Sequence, residues 1–193
     1  MRSARRESAR KAYRISRFSD NGDPKKPSAS VDFSAEGPGN YETILRRQEF
    51  KESSGYGDRP NTEAVSPAGA RGPAQITPIT ERFLKEKGLV GDDFDPTDAA
   101  QARSAQRAYM DNLLDRTWNT GSDEVRMAKA LAAYNFGPTA TVRALNKAKE
   151  KGYDIYNSLD WLEEFPTETK DYAYKILGYN EKFDREYQRE VNR

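Results

Sequence analysis

Three short blocks carry the residues best suited to chemistry: Glu52-Ser53-Ser54-Gly55, then Ser66-Pro67-Ala68-Gly69-Ala70-Arg71-Gly72-Pro73-Ala74-Gln75-Ile76, then Ala133-Tyr134-Asn135-Phe136-Gly137-Pro138. They offer a carboxyl, hydroxyls, amides and a phenol. Imidazole and thiol are missing altogether, because the 193 residues include no His and no Cys. Ser-His-Asp and Cys-His nucleophilic systems are thereby excluded, as are zinc sites built from imidazole or thiolate. Glycoside cleavage fits the remaining inventory, since it needs proton transfer by Asp or Glu and electrostatic support for an oxocarbenium-like transition state. It needs no metal and no cofactor, and none is expected. Together the three blocks point to cleavage of a sugar chain by a single carboxylic acid.

The elements that must position these residues read as helices from residue 41 onward, with no alternating strand pattern, so the fold class is all-α. Segment 41–54 places Ile44, Leu45, Gln48, Glu49 and Glu52 at helical spacing and ends at Gly55-Tyr56-Gly57. Thr77 before Pro78 reads as an N-cap with proline at the first helical position, opening a helix to about Lys87 that stops at Gly88. Thr97 is expected to cap the next helix, which carries Ala102, Ala105, Tyr109, Leu113 and Leu114. Segment 123–135 is a small-residue helix suited to deep packing; another follows over 139–151. The last runs from Glu168 to about Val191, with Gly178 as its potential break and a charged, exposed extension over 181–193. Trp118 and Trp161 are expected in the core. Asp92, Asp93 and Asp95 lack the alternating ligands, central Gly and terminal Glu of a calcium loop, so a helix-capping role is expected there.

The pattern Glu-Ser, Ser-Pro-x-Gly-Ala-x-Gly-x-x-Gln, Ala-Tyr-Asn-x-Gly-Pro and Pro-x-Glu-Thr-x-x-Tyr resembles the soluble lytic transglycosylase family, including its phage-borne members, over roughly residues 41–177. The resemblance implies a lysozyme-like helical domain over 41–180. It also implies cleavage of the link between N-acetylmuramic acid and N-acetylglucosamine in peptidoglycan glycan strands, leaving 1,6-anhydromuramoyl ends. Glu52, followed by Ser53, matches the family's catalytic acid. Glu49, in Arg47-Gln48-Glu49, is the alternative, because it resembles the Arg-Gln-Glu-Ser form of the motif and lies three residues away on the helix. Gln75 matches a substrate-binding glutamine, Tyr134 a tyrosine near the acid, Asn135 an amide lining the cleft, and Tyr172 the late tyrosine flanking it. Ser66 is open between orienting the acid or sugar and closing a turn. Pro73-Ala74 replaces the family's commoner Leu-Met pair and makes the cleft wall smaller.

The connection 55–65 is longer than the family's usual one and brings in Asp58 and Glu63. Either could serve as a second carboxylate, which would make the protein a hydrolytic muramidase. A further alternative is a structural virion protein with a vestigial sugar site. Residues 1–17 carry seven basic residues against one acid, Glu7, and 18–40 are rich in Ser, Gly, Pro and Asp, which reads as a basic flexible arm and linker over 1–40. Such an arm suits other virion proteins, nucleic acid or an anionic membrane. Mean hydropathy is −1.01 and no apolar run has membrane-spanning or secretory-signal character. An enzyme for an extracytoplasmic polymer would then need another route, and delivery in a phage particle to the periplasm or cell wall is the expected one.

Overall fold

The computed structural model describes residues 38–55 and 59–192, so residues 1–37 of the expected 1–40 arm, and Asp58 with the two residues before it, lie outside the described residues. Among the described residues seven α-helices follow in order: α1 Pro38–Ser53, α2 Pro78–Glu86, α3 Ala99–Leu114, α4 Asp123–Phe136, α5 Pro138–Glu150, α6 Thr167–Ile176 and α7 Glu181–Val191. A 3-10 turn, Asp160–Glu164, precedes α6. No strand ladder forms among the described residues; the 65–76 loop is pinned by isolated bridges that join Arg71 to Val65 and to Ile76.

Helix α4 is the central post. Val125, Ala128 and Ala130 through Ala133 are all fully buried. The small side chains of its four buried alanines let α3, α5 and α6 pack closely around α4, while α6 also packs on α1. The two helices that carry the functional blocks, α1 and α4, are thereby joined through α6. Trp161 is fully buried and meets Phe165 edge-on at 5.4 Å, while Trp118 is half-buried against the core.

Local capping sets the boundaries, with two departures from expectation, at α3 and α1, and with the break at Gly178 where it was expected. Thr77 caps α2 as its type predicts, accepting from Thr80 N at 3.1 Å ahead of Pro78. The cap of α3 is Asp98 and not Thr97, because the Asp95 carboxylate takes both the backbone N–H and the hydroxyl of Thr97, at 2.9 and 2.8 Å. Helix α1 begins at Pro38, ahead of the expected residue 41, since the fixed φ of proline suits a first helical turn. The C-terminal stretch is two helices: α6 ends at Ile176, Gly178 takes φ +87°, and Asn180 Oδ1 caps α7 by accepting from Phe183 N at 2.9 Å.

Nor is α7 an exposed extension. Phe183, Asp184 and Tyr187 form one buried face. Phe50 of α1 lies 5.5 Å from the Phe183 ring and 5.7 Å from Tyr187. Between them runs the wholly buried Arg47, whose Nε donates to Ile176 O at 2.7 Å and whose Nη2 donates to Lys175 O at 2.5 Å and to the Asp184 carboxylate. Arg47 thus caps the C-terminus of α6 and anchors α7, with its guanidinium 5.3 Å from both aromatic ring centres.

Candidate active site

The two acids of α1 meet different surroundings although only three residues separate them. Glu49 is buried and faces α3, where Arg103 grips both its oxygens through Nε and Nη2 at 3.1 Å each. That bidentate fork occupies both oxygens of the carboxylate. Glu52, in the last turn, faces α6 instead.

Oε1 of Glu52 accepts a hydrogen bond from the hydroxyl of Tyr172, which is itself buried and accepts from Gln48 Nε2 at 3.0 Å. Enclosure of the carboxyl raises its pKa from 4.5 to about 7. The Tyr172 hydrogen bond and the Lys51 charge pull it down, and the Glu168 charge adds to the rise. Glu52 as a whole stays half-buried, so the acid is enclosed without being sealed from solvent. Tyr134, at the end of α4, is raised by burial and then by the Glu52 charge. Its hydroxyl does not meet the acid directly: it donates to Ala74 O at 2.8 Å and ties α4 to the 65–76 loop.

That loop is strongly self-determined. Ser66 Oγ accepts from Ala70 N at 3.0 Å and Ser66 N donates to Ala70 O at 2.9 Å, so this serine closes its own turn. Gln75 takes φ +48° and spends Nε2 on the carbonyls of Ala64 and Gly72, at 3.1 and 3.0 Å. Its Oε1 is then the side-chain atom with which it could meet a sugar N–H. Gly72 takes φ +72°, and a Cβ there would lie 1.8 Å from Pro96 O. Gly72→Ala is therefore expected to cost at least about 2 kcal/mol, read as a lower urea midpoint, because the left-handed backbone and the clash both oppose it.

Asn135 lies beside Tyr134, where its Oδ1 accepts from Thr169 Oγ1 at 2.8 Å, one turn before Tyr172 on α6. Among the described residues its amide nitrogen makes no side-chain hydrogen bond and can donate to a ligand. Glu63 is exposed on the loop surface. The structure therefore gathers Glu52, Tyr172 and Tyr134, sets Asn135 beside them, and bonds the Gln75 loop to the group through Ala74. Glu49 stands apart. Sequence reasoning gave no role to Gln48, although its place one turn before Glu52, at i−4, was signal enough for a shared helix face.

A groove of about 360 Å³ opens near Tyr134, lined by Ile79, Phe83, Tyr109, Trp118, Pro138 and Val142 among others. Tyr109 joins the two, its ring 5.3 Å from that of Tyr134. Aromatic walls with polar tips suit the apolar faces of sugar rings.

An enclosed acid under a phenol donor, within an all-helical frame, is an arrangement that suits proton transfer by a carboxyl. The chain belongs to the transglycosylase SLT domain family, whose model matches residues 51–157. Among similar proteins, membrane-bound lytic murein transglycosylase F of Pasteurella multocida (strain Pm70) is 30% identical over 119 residues, which is 62% of this chain and 23% of that protein. The protein of the same name from Enterobacter sp. (strain 638) is 34% identical over 122 residues, 59% of this chain and 22% of that one. The chain spans less than a quarter of the length of these curated relatives. Among solved structures, the 70 kDa soluble lytic transglycosylase of Escherichia coli superposes with a TM-score of 0.55 at 21% identity, over 78% of this chain and 22% of that one. The fold is thus all-α and lysozyme-like. No helix among the described residues is long and apolar enough to cross a membrane.

Proposed function

We propose that this domain is a peptidoglycan lytic transglycosylase with Glu52 as its one catalytic carboxyl. The observation that carries the reading is the setting of Glu52: enclosed, raised to about 7, and hydrogen-bonded through one oxygen by Tyr172. An acid so tuned is protonated often enough near neutrality to give its proton to the glycosidic oxygen as the bond from the muramic acid C1 breaks. The carboxylate left behind is stabilised by the Tyr172 hydroxyl. It then takes the proton from the C6 hydroxyl of the same sugar as that oxygen closes onto C1. Nucleophile and electrophile share one ring, so the effective molarity is high and no water is consumed. Glu49 is a poor competitor because Arg103 holds its carboxylate.

In this reading Asn135 and Gln75 Oε1 bind acetamido groups, and the aromatic groove beyond Tyr109 holds the strand. We extend the proposal to a phage-particle setting with delivery to the cell wall, supported by the basic composition of residues 1–17. Mass spectrometry of muropeptides from digested peptidoglycan tests the reaction. Anhydromuramoyl ends support it, while reducing ends would mean hydrolysis and unchanged sacculi would leave a binding or structural role. Tyr172→Phe is expected to lower kcat by roughly 10- to 100-fold and to move the alkaline limb of the pH profile upward, because the donor that favours the carboxylate is gone.

A further inference from the structure

Two glutamines occupy positions where a helix ordinarily buries apolar side chains. Gln48 and Gln106 are 0% and 1% exposed. Their orientation is fixed from one end. Gln106 Nε2 donates at 3.0 Å to the Leu45 carbonyl, a group that can only accept. The same nitrogen donates to Gln48 Oε1 at 3.0 Å. With its oxygen engaged, Gln48 turns Nε2 toward Tyr172, donating to the phenol oxygen at 3.0 Å and lying 3.8 Å from Met110 Sδ. The Tyr172 oxygen is thereby occupied, and its one proton goes to Glu52 Oε1. Every donor along the row points toward the acid.

We propose that Gln48, oriented by Gln106, is a positioning residue that fixes Tyr172 as a donor to Glu52 Oε1, so that the transferable proton is carried on Oε2. The inference rests on Glu52 being the acid. Without Gln48 the phenol oxygen is free to accept from the O–H of protonated Glu52. The tyrosine would then stabilise the neutral acid and draw its proton toward the protein rather than the substrate. With Gln48 in place the phenol serves only the carboxylate, and each N–H in the row strengthens the next. The other charged groups that act on Glu52 are Lys51 on α1 and Glu168 on α6. They act through space on the charge, whereas Gln48 sets the direction of a bond.

The test is a carbon NMR titration of the Glu52 carboxyl in the whole chain, with kcat and KM measured beside it. Gln48→Met keeps the length of the side chain and removes the amide; Gln106→Met keeps Gln48 but frees its amide to turn. In Gln48→Met the titration midpoint is expected to rise by about half a pH unit and kcat to fall about five-fold with KM unchanged, with smaller changes of the same sign in Gln106→Met. A midpoint unchanged in whichever variants fold would overturn the proposal. The underlying reading fails separately, by anhydromuramoyl product persisting in Glu52→Gln whatever the titration shows.

Discussion

Glu52→Gln is expected to lose glycan cleavage by roughly 10²- to 10⁴-fold, the range of a missing general acid, and at the same time to stabilise the fold in mild alkali. The first effect follows because the amide has no proton to give the leaving oxygen and cannot take one from the C6 hydroxyl. The second follows from the direction of the pKa shift. The folded state binds the Glu52 proton more tightly than the unfolded chain does, since enclosure raises the carboxyl from 4.5 to about 7. Folding therefore carries no penalty from this group at low pH, gathers one as pH rises past the ordinary carboxylate range, and bears it in full above about 7. The ceiling is about 3 kcal/mol, and for a half-buried group roughly 1–2 kcal/mol is expected after solvent screening. Glutamine removes the penalty while its Oε1 still accepts from Tyr172. Urea midpoints of the two proteins should coincide near pH 4 and separate near pH 8, with the variant the more stable. In the wild-type protein, kcat/KM should decline with an alkaline limb near 7, where the acid loses its proton.

Arg47→Ala is expected to give the largest loss of stability, about 3–5 kcal/mol, out of the 5–15 kcal/mol typical of a domain. The substitution strips the last carbonyls of α6 of their donor, removes the guanidinium from beside the Phe183 and Tyr187 rings, and deprives the Asp184 carboxylate of its ion pair with Arg47. Arg47→Met with Asp184→Leu should recover much of that loss, because an apolar pair avoids the desolvation that the ions suffer. Chemical denaturation of both variants checks this. A cost below about 1 kcal/mol for Arg47→Ala would mean that α7 is an appendage and not part of the domain. The consequence for activity runs through α6, whose Tyr172 lies one turn before the capped terminus.

Much of the frame was legible because helix ends carry local chemistry. Thr77-Pro78 and Gly178 each announce a boundary within a few residues, and the Ala run of α4 announces a buried helix. Thr97 misled because Asp95 competes for it, a choice decided by loop geometry. The packing of α7 was hidden for a different reason. Its apolar signal is two aromatics, Phe183 and Tyr187, among charges, and what buries them is Arg47, 137 residues from its partner Asp184. Site residues were legible as types in blocks and less so as contacts. Tyr134, matched as a tyrosine near the acid, spends its hydroxyl on Ala74, whereas Tyr172, matched as a flanking residue, holds Glu52 directly. Gln75 and Ser66 turn their polar atoms into their own loop. Such choices depend on where a side chain points, and the sequence states only what it is.

The most direct test of a single-carboxyl, water-free cleavage is digestion of purified peptidoglycan in heavy-oxygen water, with wild type, Glu52→Gln and Glu49→Gln side by side. Anhydromuramoyl ends without labelled oxygen, formed by wild type and Glu49→Gln but not by Glu52→Gln, are the predicted result. Reducing ends that carry the label, or product formation surviving in Glu52→Gln, would contradict the account.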